Sequence, residues 1–351
     1  SFAALTCGSG ISFFLTSVDS SLITMTLTNA HIISGEYVIG SWSYIFVMFV
    51  LIIAMSVIIT NISEGIIAKK VPKYEFPEED VEEELVLTKR KMRGLIFSLG
   101  AGLIYLLIFI YNIIPGLPFS GNLLDYSQDL YIDKLFSYDS FFSNGFVFIV
   151  AVLFVILGLA YGIGAKTINN NKEFIDSLGH SLNGIGKILV MIFAVSIFIN
   201  IFKESNIGNV IAAAFANLIS TSNFGGLPLL IFLFLATVIS SLFLPNAINS
   251  WAIFSSTVPA LMQVGVSPEF TQLVYRLGGS VAIGLTPVFV YFIVYLAFME
   301  NYNQSNKPVT MLEAVKYQMP YALITLGTFL IVIIVWYITG IPLGIGASAA
   351  L

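Results

Sequence analysis

Charge is what this chain has least of: Asp, Glu, Lys and Arg make up 10% of its 351 residues, against about 25% in soluble domains. That scarcity excludes a water-soluble globular protein, because too few groups remain to give an apolar interior a hydrated surface. The 15 basic residues are outnumbered by 20 acidic ones, so no basic stripe exists to displace counterions from nucleic acid. A single cysteine, Cys7, excludes an internal disulfide and a cysteine-built metal centre. Two histidines, His31 and His180, speak against a His-ligated catalytic metal. The chain opens on Ser1 within an apolar stretch with no basic region ahead of it, which reads as a truncation rather than a signal peptide.

Apolar residues are what is abundant, at 57%, with a mean hydropathy of +0.93. At about 20 residues per spanning helix they allow roughly eight crossings once loops are provided for. No segment outside the apolar runs is long enough to bury a core of its own. The expected fold class is therefore an all-α polytopic membrane protein, with spans at 42–66, 94–114, 144–165, 188–219, 268–302 and 320–338. The hydrophilic run KKVPKYEFPEEDVEEELVLTKRKMR (69–93), with seven basic and seven acidic residues, reads as a solvated linker. Taking the linker as 67–93 leaves 1–66 as the end of a first repeat and 94–351 as a second.

Two apolar arms, 224–244 and 251–264, meet at Pro245-Asn246-Ala247-Ile248-Asn249-Ser250. At about 1.5 Å rise per residue the second arm is too short to cross a core of about 30 Å. The segment 224–264 is accordingly expected to form a re-entrant helical hairpin. Basic residues agree with this reading. With the linker cytoplasmic, the inward loops carry twelve Lys and Arg and the outward loops only Lys134, provided the hairpin returns to the side it left. The C-terminus then lies outside. Lys203, Arg276, Asp19 and Glu204 remain within apolar segments, where a charge costs about 2.5–3.5 kcal/mol at the bilayer centre and usually faces a partner or a pathway.

Interruptions recur in two corresponding places. Gly8-Ser9-Gly10 with Asp19 precedes the span 42–66, and Gly278-Gly279-Ser280 through Thr286-Pro287 precedes the span 320–338. Paired breaks of this kind point to an inverted-repeat secondary transporter with its site at the membrane midplane. Unwound backbone at Gly8, Gly10 and Gly278 could hold Na⁺, and Ser9, Asp19, Asn246, Ser250, Gly279, Ser280 and Thr286 are candidates for ion coupling. Asn246 and Asn249 at the hairpin tip suit a desolvated polar ligand, Trp251 could stack on a planar one, and Arg276 suits a carboxylate. Each has a plainer alternative: glycine kinks, a surface loop, a core Trp, or a structural pairing of Arg276 with Glu204 or Asp19.

The stretch NAINSWAIFSSTVPALMQVGVSPEFTQLVYRLGGSVAIGLTPVFVYF resembles the AbgT family of p-aminobenzoyl-glutamate and antimetabolite transporters, as do LGLAYGIGAKTI (157–168), FKESNIG (202–208), MPYALITLGTFLIVIIVWYITGIPLGIG (319–346) and the opening SGISFFLTSVDSSL. The resemblance implies a bowl-shaped homodimer in a bacterial-type inner membrane, built from inverted repeats and re-entrant hairpins. It also implies that Asp19, Trp251, Pro268 and Arg276 line the substrate region. Three positions depart from the family pattern: Gly279 stands where an Asp is usual, Ser250 replaces the Lys before Trp251, and Phe14 replaces an Asn. The family's first helices and first hairpin would precede Ser1. The expected function is secondary active transport of small organic anions such as p-aminobenzoyl-glutamate, peptide-like or sulfonamide-type antimetabolites, driven by Na⁺ or H⁺ and needing no other cofactor. Gly279 tilts the expectation towards Na⁺ or an altered substrate. Two alternatives stand beside it: an intramembrane hydrolase or transferase using Ser9 as a nucleophile, which lacks an evident base within a span, and an inactive transporter fragment.

Overall fold

The computed structural model describes residues 1–11, 17–40, 42–71, 87–137, 140–181, 185–304 and 307–351. Phe14 and residues 72–86, the greater part of the linker, lie outside these. The described residues are helical, with isolated β-bridges at Val266–Ala350 and Gly344–Ala347. Among the described residues, five helical stretches are long and apolar enough to cross a membrane: Ile45–Ile67, Lys89–Ile113, Phe141–Gly164, Pro268–Asn301 and Met311–Thr339. The protein is a multi-pass membrane protein. Its chain divides into two compact units, one formed by 1–72 with 187–351 and the other by 73–186.

The first unit begins with α1 (Phe2–Cys7), α2 (Ser17–Ala30) and α3 (Ile45–Ile62), the last continuing through a π-turn to Ile67. Gly8 ends α1, and α2 restarts the chain with Asp19 in its first turn, where an acid complements the helix dipole.

The second unit is built on a helical hairpin. Its members are α4 (Lys89–Ile113), α5 (Tyr131–Phe136), α6 (Phe141–Gly164) and α7 (Asn171–Ser181). Three hydrogen bonds set α4 and α6 antiparallel: Arg93 Nε to Gly164 O at 2.8 Å, Ser98 Oγ to Leu157 O at 3.0 Å, and Tyr105 OH to Ile149 O at 2.8 Å. Close approach is possible because Gly94 faces Tyr161 and Ala165 while Gly164 faces Phe97; a Cβ at either glycine would sit within 3.0 Å of those side chains. Small residues at the contact let membrane helices gain van der Waals packing where no hydrophobic effect drives them together.

The first unit resumes with α8 (Ile185–Glu204) and α9 (Ile207–Thr221). The run 188–219, too long for one simple span and interrupted in sequence by Lys203-Glu204-Ser205-Asn206, is broken there, at Asn206, whose φ of 54° is left-handed, a region open to Asn at lower cost than to most residues. Lys203 and Glu204 fall at this junction and are exposed, so they are not buried charges. Next come α10 (Gly226–Ser241), α11 (Ala247–Phe254), a 3₁₀ turn at Ser255–Thr257 and α12 (Val258–Gln263), which packs back against α10. α13 (Pro268–Ala282) follows, capped by Ser267 and opened by Pro268 at its first position, where the missing N–H is not needed. A 3₁₀ turn at Ile283–Leu285 and an extended stretch separate it from α14 (Val290–Asn301). The final helix α15 (Met311–Thr339) starts earlier than the expected span at 320 because Thr310 and Glu313 form a capping box. It carries Pro320 within it and stops at the left-handed Gly340.

The core of this unit is centred on α13, which packs against α1, α2, α10, α11, α12 and α15. Trp251, Phe254, Phe234, Phe270 and Phe329 are completely buried around it. The residues after α15 fold back over two helix starts. Leu343 O accepts from Phe46 N and Val47 N, Ile345 N donates to Trp42 O, Ser267 N donates to Ala349 O, and Leu351 N donates to Gly265 O, all at 3.1–3.2 Å. This segment therefore satisfies amides at the beginnings of both α3 and α13, which no intrahelical carbonyl can reach.

Candidate functional site

Polar side chains recur along α13 at Glu269, Gln272, Arg276 and Ser280, spaced three or four residues apart. That spacing lines them up on one helix face. Glu269, Gln272 and Ser280 are buried and Arg276 is 10% exposed. Each meets a group from another element.

Arg276 makes the central contact. Its Nη1 lies 2.6 Å from Asp19 Oδ1, and the Asp19 side chain is 4% exposed. Of the two partners considered from sequence, Asp19 is the one engaged. Burying two opposite charges together offsets part of their desolvation, and removing either partner strips the other of this counter-charge. Gly10 closes one flank: a Cβ there would lie 2.5 Å from Arg276 O and 2.9 Å from Ser280 Oγ. The interruption at residues 8–10 thus permits backbone to lie directly on α13. Gly279 is the opposite case, half-buried with nothing within 4 Å of where its Cβ would be. Open space therefore flanks Arg276 one turn along the helix.

A second layer lies one turn towards the start of α13. Thr26 Oγ1 is 2.6 Å from Gln272 Oε1, to which it donates, and 2.8 Å from Leu22 O. Trp251 Nε1 donates to Thr26 Oγ1 at 3.0 Å and to Leu22 O at 3.2 Å. The Trp251 ring packs on Tyr275, with centroids 4.5 Å apart, and the Tyr275 hydroxyl donates to Ala247 O at 2.5 Å with Ser250 beside it. Trp251 is wholly buried, so its face is taken by Tyr275. Gln272 is equally buried, yet its Nε2 has no hydrogen-bond partner among the described residues. An orphaned buried donor costs about 1–3 kcal/mol.

Nearer the helix start, the Tyr37 hydroxyl donates to Glu269 Oε2 at 2.7 Å. Burial, followed by the adjoining Glu269 carboxylate, pushes the Tyr37 phenol above its ordinary range. The buried Tyr44 hydroxyl, within electrostatic reach of Glu269, Arg276 and Asp19, has no hydrogen-bond partner among the described residues.

The other residues singled out from sequence are placed as follows. Asn246 is exposed and caps α11 by accepting from Asn249 N at 3.0 Å. Asn249 is exposed and Ser250 is buried. Pro268 is buried at the start of α13, two turns from Arg276. Ser9 Oγ donates to Thr6 O at 2.8 Å, Gly8 caps α1, and Thr286 Oγ1 donates to Leu242 O at 2.6 Å. Gly278 faces α10, where a Cβ would collide with Thr237 Oγ1 and lie 2.8 Å from Phe234 O, so it permits a close approach of α10 and α13. Sequence reasoning missed Gln272, Thr26, Tyr275, Glu269 and Tyr37. The signal that could have found Glu269 and Gln272 on α13 is the spacing of its polar residues.

Comparison with known proteins agrees with the pattern of motifs. The model of the AbgT transporter family matches residues 1–351. The p-aminobenzoyl-glutamate transport protein of Escherichia coli (strain K12) is 28% identical over 297 residues, covering 84% of this chain and 56% of that protein. The chain thus spans little more than half the length of this curated relative. Among solved structures, the YdaH transporter of Alcanivorax borkumensis superposes with a TM-score of 0.56 at 23% identity, covering 98% of this chain and 70% of its own. MtrF of Neisseria gonorrhoeae, described among antimetabolite efflux pumps, gives 0.51 at 25% identity, covering 99% of this chain and 67% of its own. These relatives are transporters, not enzymes.

Proposed function

Because the chain belongs to the AbgT family of transporters, we propose that it forms the substrate-binding part of a secondary active transporter of small organic anions, driven by a Na⁺ or H⁺ gradient. The observation that carries this reading is the Asp19–Arg276 pair, 2.6 Å apart and nearly sealed from the surface, which joins the first turn of α2 to the middle of α13, a helix that runs unbroken through Gly278 and Gly279. An arginine in that setting can exchange its internal carboxylate for that of a substrate. Asp19, when released, is free to take a proton or contribute to a cation site, which gives substrate and ion a shared group. Such an exchange is what links two binding events thermodynamically.

The name of the Escherichia coli relative supports p-aminobenzoyl-glutamate as a substrate, and that of MtrF supports antimetabolites. Within this reading Trp251, Pro268, Asn246 and Asn249 line the substrate region. Oxygens of Ser9, Ser250, Ser280 and Thr286, with the backbone at Gly8, Gly10, Gly278 and Gly279, serve the coupling ion. The segment 224–264 acts as a re-entrant hairpin, the two halves as inverted repeats, and two copies assemble as a homodimer in the inner membrane. The linker is cytoplasmic and the C-terminus external, the orientation favoured by the basic residues.

Uptake into proteoliposomes tests the function. The full-length protein should accumulate or expel radiolabelled p-aminobenzoyl-glutamate when a Na⁺ or H⁺ gradient is imposed, and Arg276→Gln should abolish the flux. Flux that ignores both gradients would sink the proposal.

A further inference from the structure

The mechanism above uses Arg276 and Asp19 but leaves unexplained the orphaned amide one turn away. Gln272 is fully buried and its Oε1 is held by Thr26 at 2.6 Å, so the carboxamide is fixed in place rather than free to seek water. Thr26 is in turn fixed by Trp251 and Leu22. One hydroxyl, which itself accepts from Trp251 Nε1, thus holds one end of an amide whose other end, Nε2, meets nothing among the described residues. Neighbouring groups on this layer are already engaged: Asn29 Nδ2 donates to Ser255 Oγ at 3.1 Å, and the Tyr275 hydroxyl is committed to Ala247 O. A rigidly held donor with no acceptor is a cost in this state. It becomes useful when an acceptor arrives, because a pre-positioned donor needs no reordering on binding.

Gln272 and Arg276 are four residues apart on α13, about 6 Å along the axis at 1.5 Å per residue. We propose that Gln272 is a second substrate-recognition residue, whose Nε2 donates to a carbonyl or carboxylate oxygen about 6 Å from the carboxylate held by Arg276. The substrate class selected is an anion with two separated acceptor groups, such as an amide-linked dicarboxylate, over a simple monocarboxylate. A site built to donate discriminates strongly against a ligand lacking the acceptor, since its own donor is then left unpaired. This inference rests on the transporter reading and adds the basis of its selectivity.

The test pairs two ligands with two variants of the full-length protein in lipid nanodiscs. p-Aminobenzoyl-glutamate offers the second acceptor and p-aminobenzoate does not. Gln272→Met, which preserves length and volume, is expected to weaken p-aminobenzoyl-glutamate binding about tenfold, the scale of one hydrogen bond, while p-aminobenzoate changes by less than about twofold. Gln272→Asn keeps the polarity of the site and retracts the donor by one methylene, so it should show the same selective loss should the Met variant not fold. Arg276→Gln should weaken both ligands. Equal losses for both ligands, or no loss for either, in a folded Gln272 variant would overturn the role of Gln272 while leaving the transporter reading intact. If the unmodified protein binds neither ligand, the reading and this inference fall together.

Discussion

The Arg276 guanidinium on α13 meets the Asp19 carboxylate on the first turn of α2 at 2.6 Å, in an interior where both side chains are at least nine-tenths covered. The two residues come from segments more than 250 positions apart, so the contact ties the two ends of the chain into one structure as well as neutralising two costly charges.

Severing that pair should be expensive. Asp19→Asn leaves a buried guanidinium without its counter-charge, and about 3–5 kcal/mol of stability should be lost. Thermal unfolding in detergent measures this. The double variant Asp19→Asn with Arg276→Gln should recover part of the loss, because no uncompensated charge remains; a double variant worse than the sum of the singles would contradict the account.

Adjacent glycines on α13 should respond in opposite senses. Gly278→Ala drives a methyl into Thr237 Oγ1 and towards the Phe234 carbonyl, an overpacking that costs about 1–3 kcal/mol. Gly279→Ala enters open space and should be neutral or stabilising by up to about 1 kcal/mol through helix propensity. Comparing the two melting temperatures checks this. Gly279→Asp fits the same space and should change the Na⁺ or pH dependence of transport while leaving the fold unaltered.

Thr26→Val removes the hydroxyl shared by Trp251 and Gln272 without changing the shape of the side chain. We expect a loss of about 1–3 kcal/mol, since two buried polar groups lose a partner, together with a shift in tryptophan emission. An unchanged spectrum and unchanged stability would show that the layer is not coupled through Thr26.

Tyr37 supplies a pH signature. Its folded phenol titrates above its ordinary value of 10.0, chiefly through burial and then through Glu269. A group whose proton is held more tightly in the folded state contributes stability that is complete below its unfolded pKa and lost as pH rises past it. The unfolding temperature of the unmodified protein should therefore fall more steeply above about pH 10 than that of Tyr37→Phe, as a pair of pH titrations followed by circular dichroism would show.

The helical hairpin at 73–186 should depend on its small residues. Gly94→Leu pushes against Tyr161 and Ala165, and Gly164→Leu against Phe97, so either should separate α4 from α6 and reduce protease resistance in this unit, with Gly100→Leu, where nothing lies within 4 Å, as the control.

How far the sequence revealed this structure follows from rarity. Arg276 and Asp19 stand out because charges in apolar segments are few enough to enumerate, and five helices long enough to span were legible as apolar runs. Gln272, Thr26 and Tyr37 were not, because neutral polar residues are common in membrane helices and only a tertiary partner distinguishes them. Lys203 and Glu204 marked an interruption that the structure has, where the left-handed Asn206 follows the end of α8, but counting them among the charges at depth was wrong, because both are exposed at that junction. For Trp251 the sequence left open a planar ligand or the core, and only the tertiary structure shows its ring buried against Tyr275.

The segment after Gly340 hydrogen-bonds to Phe46, Val47 and Trp42 on one side and to Ser267 and Gly265 on the other, and so behaves as a rivet through two helix ends. A riveted corner cannot serve as a hinge. If α13 tilts during a transport cycle, the angle has to open at its far end, where Ile283–Leu285 loosens into a 3₁₀ turn and Thr286 continues extended. Arg276 and Gln272, lying between pivot and free end, would then travel by different amounts, and a ligand gripped by both would register the tilt as a change in the spacing of its own oxygens.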